Sequence, residues 1–271
     1  MKIALVYRSD NKKNLEISGK ILNIISETKH EITKSELKNK EELVRKISNS
    51  DVVIVVGGDG TIMHVAKICA QYNKLIVSVN SGKLGFLANL SESDLYKITN
   101  ILDENFENLS IIEQMMFEIE IPEKSHNLQI FNEIVISRDF KSHIVNFKLT
   151  QDYKNICEYS ADGIIIATPS GSTAYSLSAG GPVVDPQINC AIVTPICAHS
   201  LTARTFILDP QKEIIINYEL KSDSGVYIST DGYISHISLE NSYVKIKKSN
   251  LSSKFINLNN TNIYQKLNKI Y

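Results

Sequence analysis

The feature that most constrains this chain is a run of five β-branched residues, Val52-Val53-Ile54-Val55-Val56, ending at once in Gly57-Gly58-Asp59-Gly60-Thr61. No polar residue interrupts the run. As a strand it must be buried on both faces, the condition of an interior strand in a parallel sheet. Apolar residues then recur at helical spacing at Ile62, Val65, Ala66 and Cys69. Strand, glycine turn and helix in succession is the unit from which α/β sheets are built, and the neighbouring sequence repeats its parts. Ile3 to Tyr7 is another short apolar strand. Asn11 to Glu27 reads as a helix with Leu15, Leu22 and Ile25 on one face and Ser18 between them, and Glu41 to Ile47 as a short helix. Leu75 to Val79 is a further strand, followed by Asn80-Ser81-Gly82.

After about Leu109 the texture changes to short segments separated by turn residues. Strands are expected at Phe117 to Ile121, Gln129 to Ile136, His143 to Leu149, Gly163 to Ala167, Glu213 to Tyr218, Val226 to Ser229 and Tyr243 to Ile246. The fold class is therefore α+β in two domains: an α/β N-terminal domain with a parallel, Rossmann-like sheet, and a mostly-β C-terminal domain. Residues 1–108 are assigned to the first and 109–253 to the second. Residues 254–271, with a helix expected from Thr261 to Lys269, are expected to complete the first.

Composition narrows the functional classes. At 43% hydrophobic residues, the 271-residue chain can build a substantial core. Lys and Arg total 29 against 30 Asp and Glu, so nothing favours nucleic acid or an anionic membrane as a partner. Cys69, Cys157, Cys190 and Cys197 form no CxxC pair and no zinc-spaced cluster with histidine, which reads as scattered reduced thiols. The opening MKIALVYRSD reads as a strand rather than a signal peptide, and the aliphatic runs are far short of a membrane span. A cytoplasmic location is expected.

The glycine turn carries the chemistry. Glycines let the backbone adopt φ > 0 and approach a ligand closely. The first N–H groups of the following helix have no intrahelical partner and favour anions. Gly57, Gly58, Gly60 and Thr61 thus form a candidate phosphate loop, although it is neither GxxxxGK[ST] nor GxGxxG. Its distinctive residue is Asp59. A carboxylate there repels a bare phosphate, a cost that makes sense if it accepts a proton from an attacking hydroxyl or helps hold a magnesium ion. Taken alone, the loop also fits an ordinary strand-to-helix turn with Asp as turn former.

The GGDGT loop is shared by NAD kinases, by diacylglycerol and sphingosine kinases and, in a variant form, by 6-phosphofructokinases. Three further segments resemble the NAD kinase family in particular. They are Asn80-Ser81-Gly82-Lys83-Leu84-Gly85-Phe86-Leu87; Asn132-Glu133 within FNEIVISR; and Asp162-Gly163 running through Ala167 to Pro182, with Thr173-Ala174-Tyr175-Ser176-Leu177-Ser178 at its centre. The order and separation of the four segments fit that family over about the whole chain. The resemblance implies phosphorylation of the adenosine ribose 2′-hydroxyl of NAD to give NADP, with ATP or polyphosphate as donor and Mg2+ on the donor phosphates. It makes Asp59 the catalytic base, and Asp162 and Thr173 to Ser178 ligand contacts, with Ala174 and Tyr175 beside a base.

The residue types suit those roles. An Asn132 carboxamide both donates and accepts and can read an adenine edge, and a Glu133 carboxylate can bridge two ribose hydroxyls; a polar pair at a strand end or sheet edge fits the same two residues. Tyr175 can pack on a ring. His64, in the helix after the loop, falls where the family often has a basic residue near the phosphates, and His143 where it has a ligand-proximal histidine. Two positions depart from the family pattern. Ser160 stands where bacterial relatives often carry a basic residue, and Tyr233, after Asp231-Gly232, where many carry Gln. The family is typically a homo-oligomer, so a homodimer or homotetramer is expected. Two other functions share these motifs: a lipid or sphingoid-base kinase of the same superfamily, and a non-catalytic NAD(P)-binding sensor.

Overall fold

The computed structural model describes residues 1–82, 85–99, 109–122, 124, 127–140, 143–200, 203–220, 224–258 and 263–270. The chain forms two units: Met1–Gln114 with Leu251–Tyr271, and Met115–Asn250.

In the first unit strand and helix alternate: β1 (Lys2–Tyr7), α1 (Lys12–Ser26), β2 (Glu31–Glu36), α2 (Lys40–Ser48), β3 (Val52–Gly57), α3 (Asp59–Gln71) and β4 (Leu75–Asn80). The strands lie parallel in the order β2-β1-β3-β4, with Ile3 opposite Val52 and Val53 opposite Ile76. Every residue of β3 is buried, as the uninterrupted β-branched run requires. Asn11 and Asn39 cap α1 and α2, their side chains accepting backbone N–H bonds of the first turn. The buried face of α1 is Asn14, Ile17, Ser18, Ile21 and Ile25. Leu15, expected on that face, is instead exposed, because it lies two positions from Ile17 and so about 160° from it around the helix. Strand β2, unforeseen in the sequence, reads EITKSE; it is an edge strand with mostly exposed side chains and needs no apolar run.

The second unit is built from β-strands. Strand β5 (Ile111–Glu120) enters it, followed by β6 (Leu128–Ile130), β7 (Glu133–Arg138), β8 (Val145–Gln151), β9 (Lys154–Ala161) and β10 (Gly163–Ala167). A 3-10 turn, Ser170–Thr173, and the short helix α4 (Tyr175–Ser178) come next. The remaining strands are β11 (Ala191–Ile196), β12 (Phe206–Leu208), β13 (Ile214–Glu219), β14 (Val226–Thr230), β15 (Tyr233–Ser238) and β16 (Ser242–Ile256). An antiparallel sheet runs β12-β11-β10-β7-β14-β15, and β13 pairs with β8 and β16 in a second layer. Alternate residues from both layers, among them Ile134, Ile136, Ile164, Phe147, Ile216 and Val244, meet in one buried core. The run expected as one strand from Gln129 to Ile136 is broken at Phe131-Asn132 into β6 and β7. Strands β9, β11, β12 and β15 were not expected; β9 and β15 are edge strands of mixed polarity.

The chain then returns to the first unit. The end of β16 pairs parallel with β4, Lys254 opposite Leu75, and α5 (Ile263–Ile270) follows. Thr261 and Asn262, expected to begin that helix, lie outside the described residues.

Candidate active site

Strand β3 delivers the glycine turn directly to the N-terminus of α3. Gly58 is the N-cap, and its carbonyl accepts from the Thr61 and Ile62 N–H groups at 3.0 and 3.1 Å. None of Gly57, Gly58 and Gly60 has a positive φ, so the turn does not use the left-handed freedom that glycine allows. What the glycines supply is room. A Cβ on Gly57 would lie 2.7 Å from the Thr61 side chain, whereas Gly58 and Gly60 face open space in which a ligand can approach the backbone.

Asp59 is the first residue of α3, and its carboxylate is not bare. Oδ2 accepts the Phe86 N–H at 2.8 Å and Oδ1 the Leu87 N–H at 3.1 Å. These donors offset the negative charge that made Asp59 anomalous in a phosphate-binding turn. The supporting turn is itself tied down. The Ser78 hydroxyl donates to Leu87 O at 2.8 Å and accepts from Asn89 N at 3.1 Å, and Asn89 Nδ2 donates to Ile256 O. Asn80 closes the preceding turn onto Gly82 through both ends of its carboxamide. Lys83 and Leu84 of the same motif lie outside the described residues. Gly85 leaves the room the carboxylate occupies, since a Cβ there would stand 2.2 Å from Asp59 Oδ1 and would have to displace it.

His64 is exposed on α3, and crowding by the protein, together with the positive charges of Lys67 and Lys40, holds its imidazole below the usual pKa. It is therefore largely neutral at pH 7.

In the second unit Asn132 and Glu133 sit at the start of β7, which lies between β10 and β14 and is not a sheet edge. Asp231 clamps the turn ahead of them: its carboxylate accepts from Phe131 N at 3.1 Å and from Asn132 N at 2.7 Å. Asp231 (φ 50°) and Gly232 (φ 82°) are both left-handed and join β14 to β15 as a two-residue hairpin loop, the pattern for which Asp-Gly is suited. From the other side, Thr168 N donates to Asn132 O at 2.8 Å. A Cβ on Gly171 would be 2.2 Å from that carbonyl, so the glycine-rich segment can pack against Asn132 only as glycine.

Glu133 is 5% exposed, its Oε2 has no hydrogen-bond partner, and the Tyr175 backbone N–H faces its carboxylate. Burial, and secondarily the charge of Asp231, push its pKa up to about 7. A buried carboxylate with a spare acceptor and a strongly raised pKa marks Glu133 as a candidate functional residue.

The structure thus brings Asn132, Glu133 and Tyr175 together, with Thr173 and Ala174 half-buried beside them and Tyr175 exposed. Ser176 is turned inward, its hydroxyl bonded to Thr194 Oγ1 at 2.9 Å, while Leu177 is half-buried and Ser178 exposed. Asp162, between β9 and β10, accepts from Arg138 Nε at 2.7 Å. Ser160 donates to Asn146 Oδ1 at 2.6 Å. His143 is exposed ahead of β8, and among the described residues no hydrogen bond or ion pair links it to the Glu133 cluster. Tyr233 begins β15 and is 72% exposed. Sequence reasoning missed the parts played by Gly85, Arg138 and Asp231; only the Asp-Gly hairpin signal could have flagged the last. Among the described residues no group of three or more His, Cys, Asp or Glu is placed to hold a metal ion.

Comparison with known proteins follows the same division. Residues 3–106 match the family model for the ATP-NAD kinase N-terminal domain, and residues 131–258 that for the ATP-NAD kinase C-terminal domain. The NAD kinase of Caldanaerobacter subterraneus subsp. tengcongensis is 33% identical over 98% of this chain and 97% of its own length. Two solved structures share the fold. An NAD kinase from Archaeoglobus fulgidus in complex with ATP has a TM-score of 0.78 at 23% identity, covering 100% of both chains. Yeast NADH kinase complexed with NADH has a TM-score of 0.84 at 22% identity, covering 99% of this chain and 86% of that one.

Proposed function

The chain belongs to the ATP-NAD kinase family, and from that premise we infer that it transfers the γ-phosphoryl group of ATP to the adenosine ribose 2′-hydroxyl of NAD, giving NADP. The observation that carries the reading is Asp59, a carboxylate at the head of α3 fixed by two backbone amides beside a loop open to phosphate.

In the proposed step the 2′-oxygen attacks the γ-phosphorus and the bond from that phosphorus to the β,γ-bridging oxygen breaks, releasing ADP. The hydroxyl proton passes to Asp59. Such transition states are loose, so positioning contributes more than proton removal. The loop backbone at Gly58 and Gly60 would cradle phosphate oxygens at the positive end of α3. Magnesium is read as arriving with the donor as MgATP. When bound it would supply positive charge that offsets the negative charge on the transferring phosphoryl group. Glu133 would hold ribose hydroxyls and Asn132 an adenine edge. The buried Glu133 Oε2, which accepts no hydrogen bond among the described residues, supports this, because it leaves an acceptor free for a hydroxyl donor.

The same reading carries assembly as a homodimer or homotetramer, supported by the exposed Ile234 and Ile237 on edge strand β15. It also carries a cytoplasmic location; no helix among the described residues is long and apolar enough to cross a membrane. The lipid-kinase alternative is not favoured, since both halves of the chain match ATP-NAD kinase domains.

The test is a coupled assay of NADP formation from NAD, ATP and magnesium, with Asp59→Asn alongside. Turnover in the variant should fall on the order of 10²–10⁴-fold with folding and NAD binding retained. Near-normal turnover would remove Asp59 as the base. NAD binding by calorimetry without product from either protein would indicate a sensor.

A further inference from the structure

The C-terminal helix places Lys266 beneath the turn that holds Asp59. Its ammonium donates to Phe86 O at 2.7 Å, Ala88 O at 2.9 Å and Asn89 Oδ1 at 3.3 Å. An ammonium has three donors, and here all three are spent on one turn 177 or more residues away in sequence. The two peptide units it grips are the ones that matter. The carbonyl of Phe86 and the N–H of Leu87 belong to the same peptide group: Lys266 pulls on its oxygen while its N–H is donated to Asp59 Oδ1. Likewise the carbonyl of Ala88 is joined to the Asn89 N–H that bonds Ser78 Oγ. A cation on the carbonyl end polarises an amide and strengthens the bond its N–H makes.

We propose that Lys266 is a positioning residue for phosphoryl transfer, acting through the Phe86–Leu87 peptide group to fix the Asp59 carboxylate. The inference rests on the kinase reading for its effect on turnover, but not for its effect on the turn.

A lysine that only filled space would be poorly chosen. Burial pulls its pKa down to about 8, and the charge of Asp59 only partly restores it. An apolar side chain of similar length would avoid that desolvation. The charge is retained where it can act on the amides facing Asp59.

The experiment uses the full chain carrying Lys266→Met, with wild type, Asp59→Asn and the double variant. Amide hydrogen exchange is read first. At Phe86 and Leu87 it should accelerate on the order of 10-fold or more in Lys266→Met, with β3 and β4 amides unchanged. Turnover should fall on the order of 10- to 100-fold, the effect of slightly misplacing a reacting group, with the KM for NAD within about 2-fold. In the Asp59→Asn background the same change should cost less than about 2-fold, because the two residues act as one unit. Equal exchange at Phe86 and Leu87, or the same fold-loss in both backgrounds, would overturn the proposal. If wild type forms no NADP, the kinase reading fails, while hydrogen exchange still decides whether Lys266 holds the turn.

Discussion

Gly85→Ala tests the geometry of the site more sharply than removal of any polar group. The added Cβ would stand 2.2 Å from Asp59 Oδ1, 2.5 Å from Cγ and 2.6 Å from Oδ2, where ordinary contact begins at 3.4 Å. Either the turn or the carboxylate must therefore give by roughly 1 Å or more, a displacement that can cost on the order of 10²-fold in rate. The easier movement is rotation of the Asp59 side chain, which forfeits the bonds from Phe86 N and Leu87 N. In a buried site each charge-assisted bond contributes about 1.5–3 kcal/mol. Asp59 is half-exposed, so water recovers most of this, leaving a net cost of about 1 kcal/mol. Gly85→Ala should then lose about 10²-fold in NADP formation while its Tm falls by only about 2–4 °C. The loss should not exceed that of Asp59→Asn. Turnover within about 3-fold of wild type in a folded Gly85→Ala protein would refute the claim that the Gly85 turn positions the reacting carboxylate.

Glu133→Gln makes a prediction about pH. The Glu133 carboxyl has its pKa raised from 4.5 to about 7, so the folded state holds its proton over a range in which the unfolded chain has lost it. Stability of the unliganded protein should therefore decline as pH rises through that window, by at most about 3 kcal/mol. Glutamine removes this slope. Melting curves of the two proteins should coincide near pH 4.5 and diverge in favour of the variant toward pH 8; parallel curves would sink the assignment. Asp231→Ala should cost about 1–3 kcal/mol in urea denaturation, because the Phe131 and Asn132 amides lose their acceptor. Asp231→Asn should lose less, since Asn tolerates the left-handed φ of 50° and keeps one acceptor oxygen; equal stability of both variants and wild type would show that the clamp contributes nothing.

Much of this protein was legible in its sequence. The Val52 to Val56 run, β-branched and bounded by glycines, pointed to a strand buried on both faces as in a parallel sheet, and the glycines after it marked the strand-to-helix turn. The four motif segments named the residues that the structure then distributes over its two units. The edge strands β2, β9 and β15 were not legible, since one-sided or mixed burial leaves no long apolar signature. Of the two reasons for glycine at Gly57 to Gly60, left-handed backbone is not used, whereas closeness to Thr61 and open space beside the backbone are. Only the tertiary structure could decide how the charges are compensated. Local sequence shows Asp59 in a phosphate turn; it does not show that Phe86 and Leu87 meet it, that Lys266 grips the same peptide group, or that Asp231 reaches back about a hundred residues to Asn132. Periodicity reports which face of an element is buried. Which polar groups satisfy one another depends on where distant segments arrive, and that is settled only when the whole chain has folded.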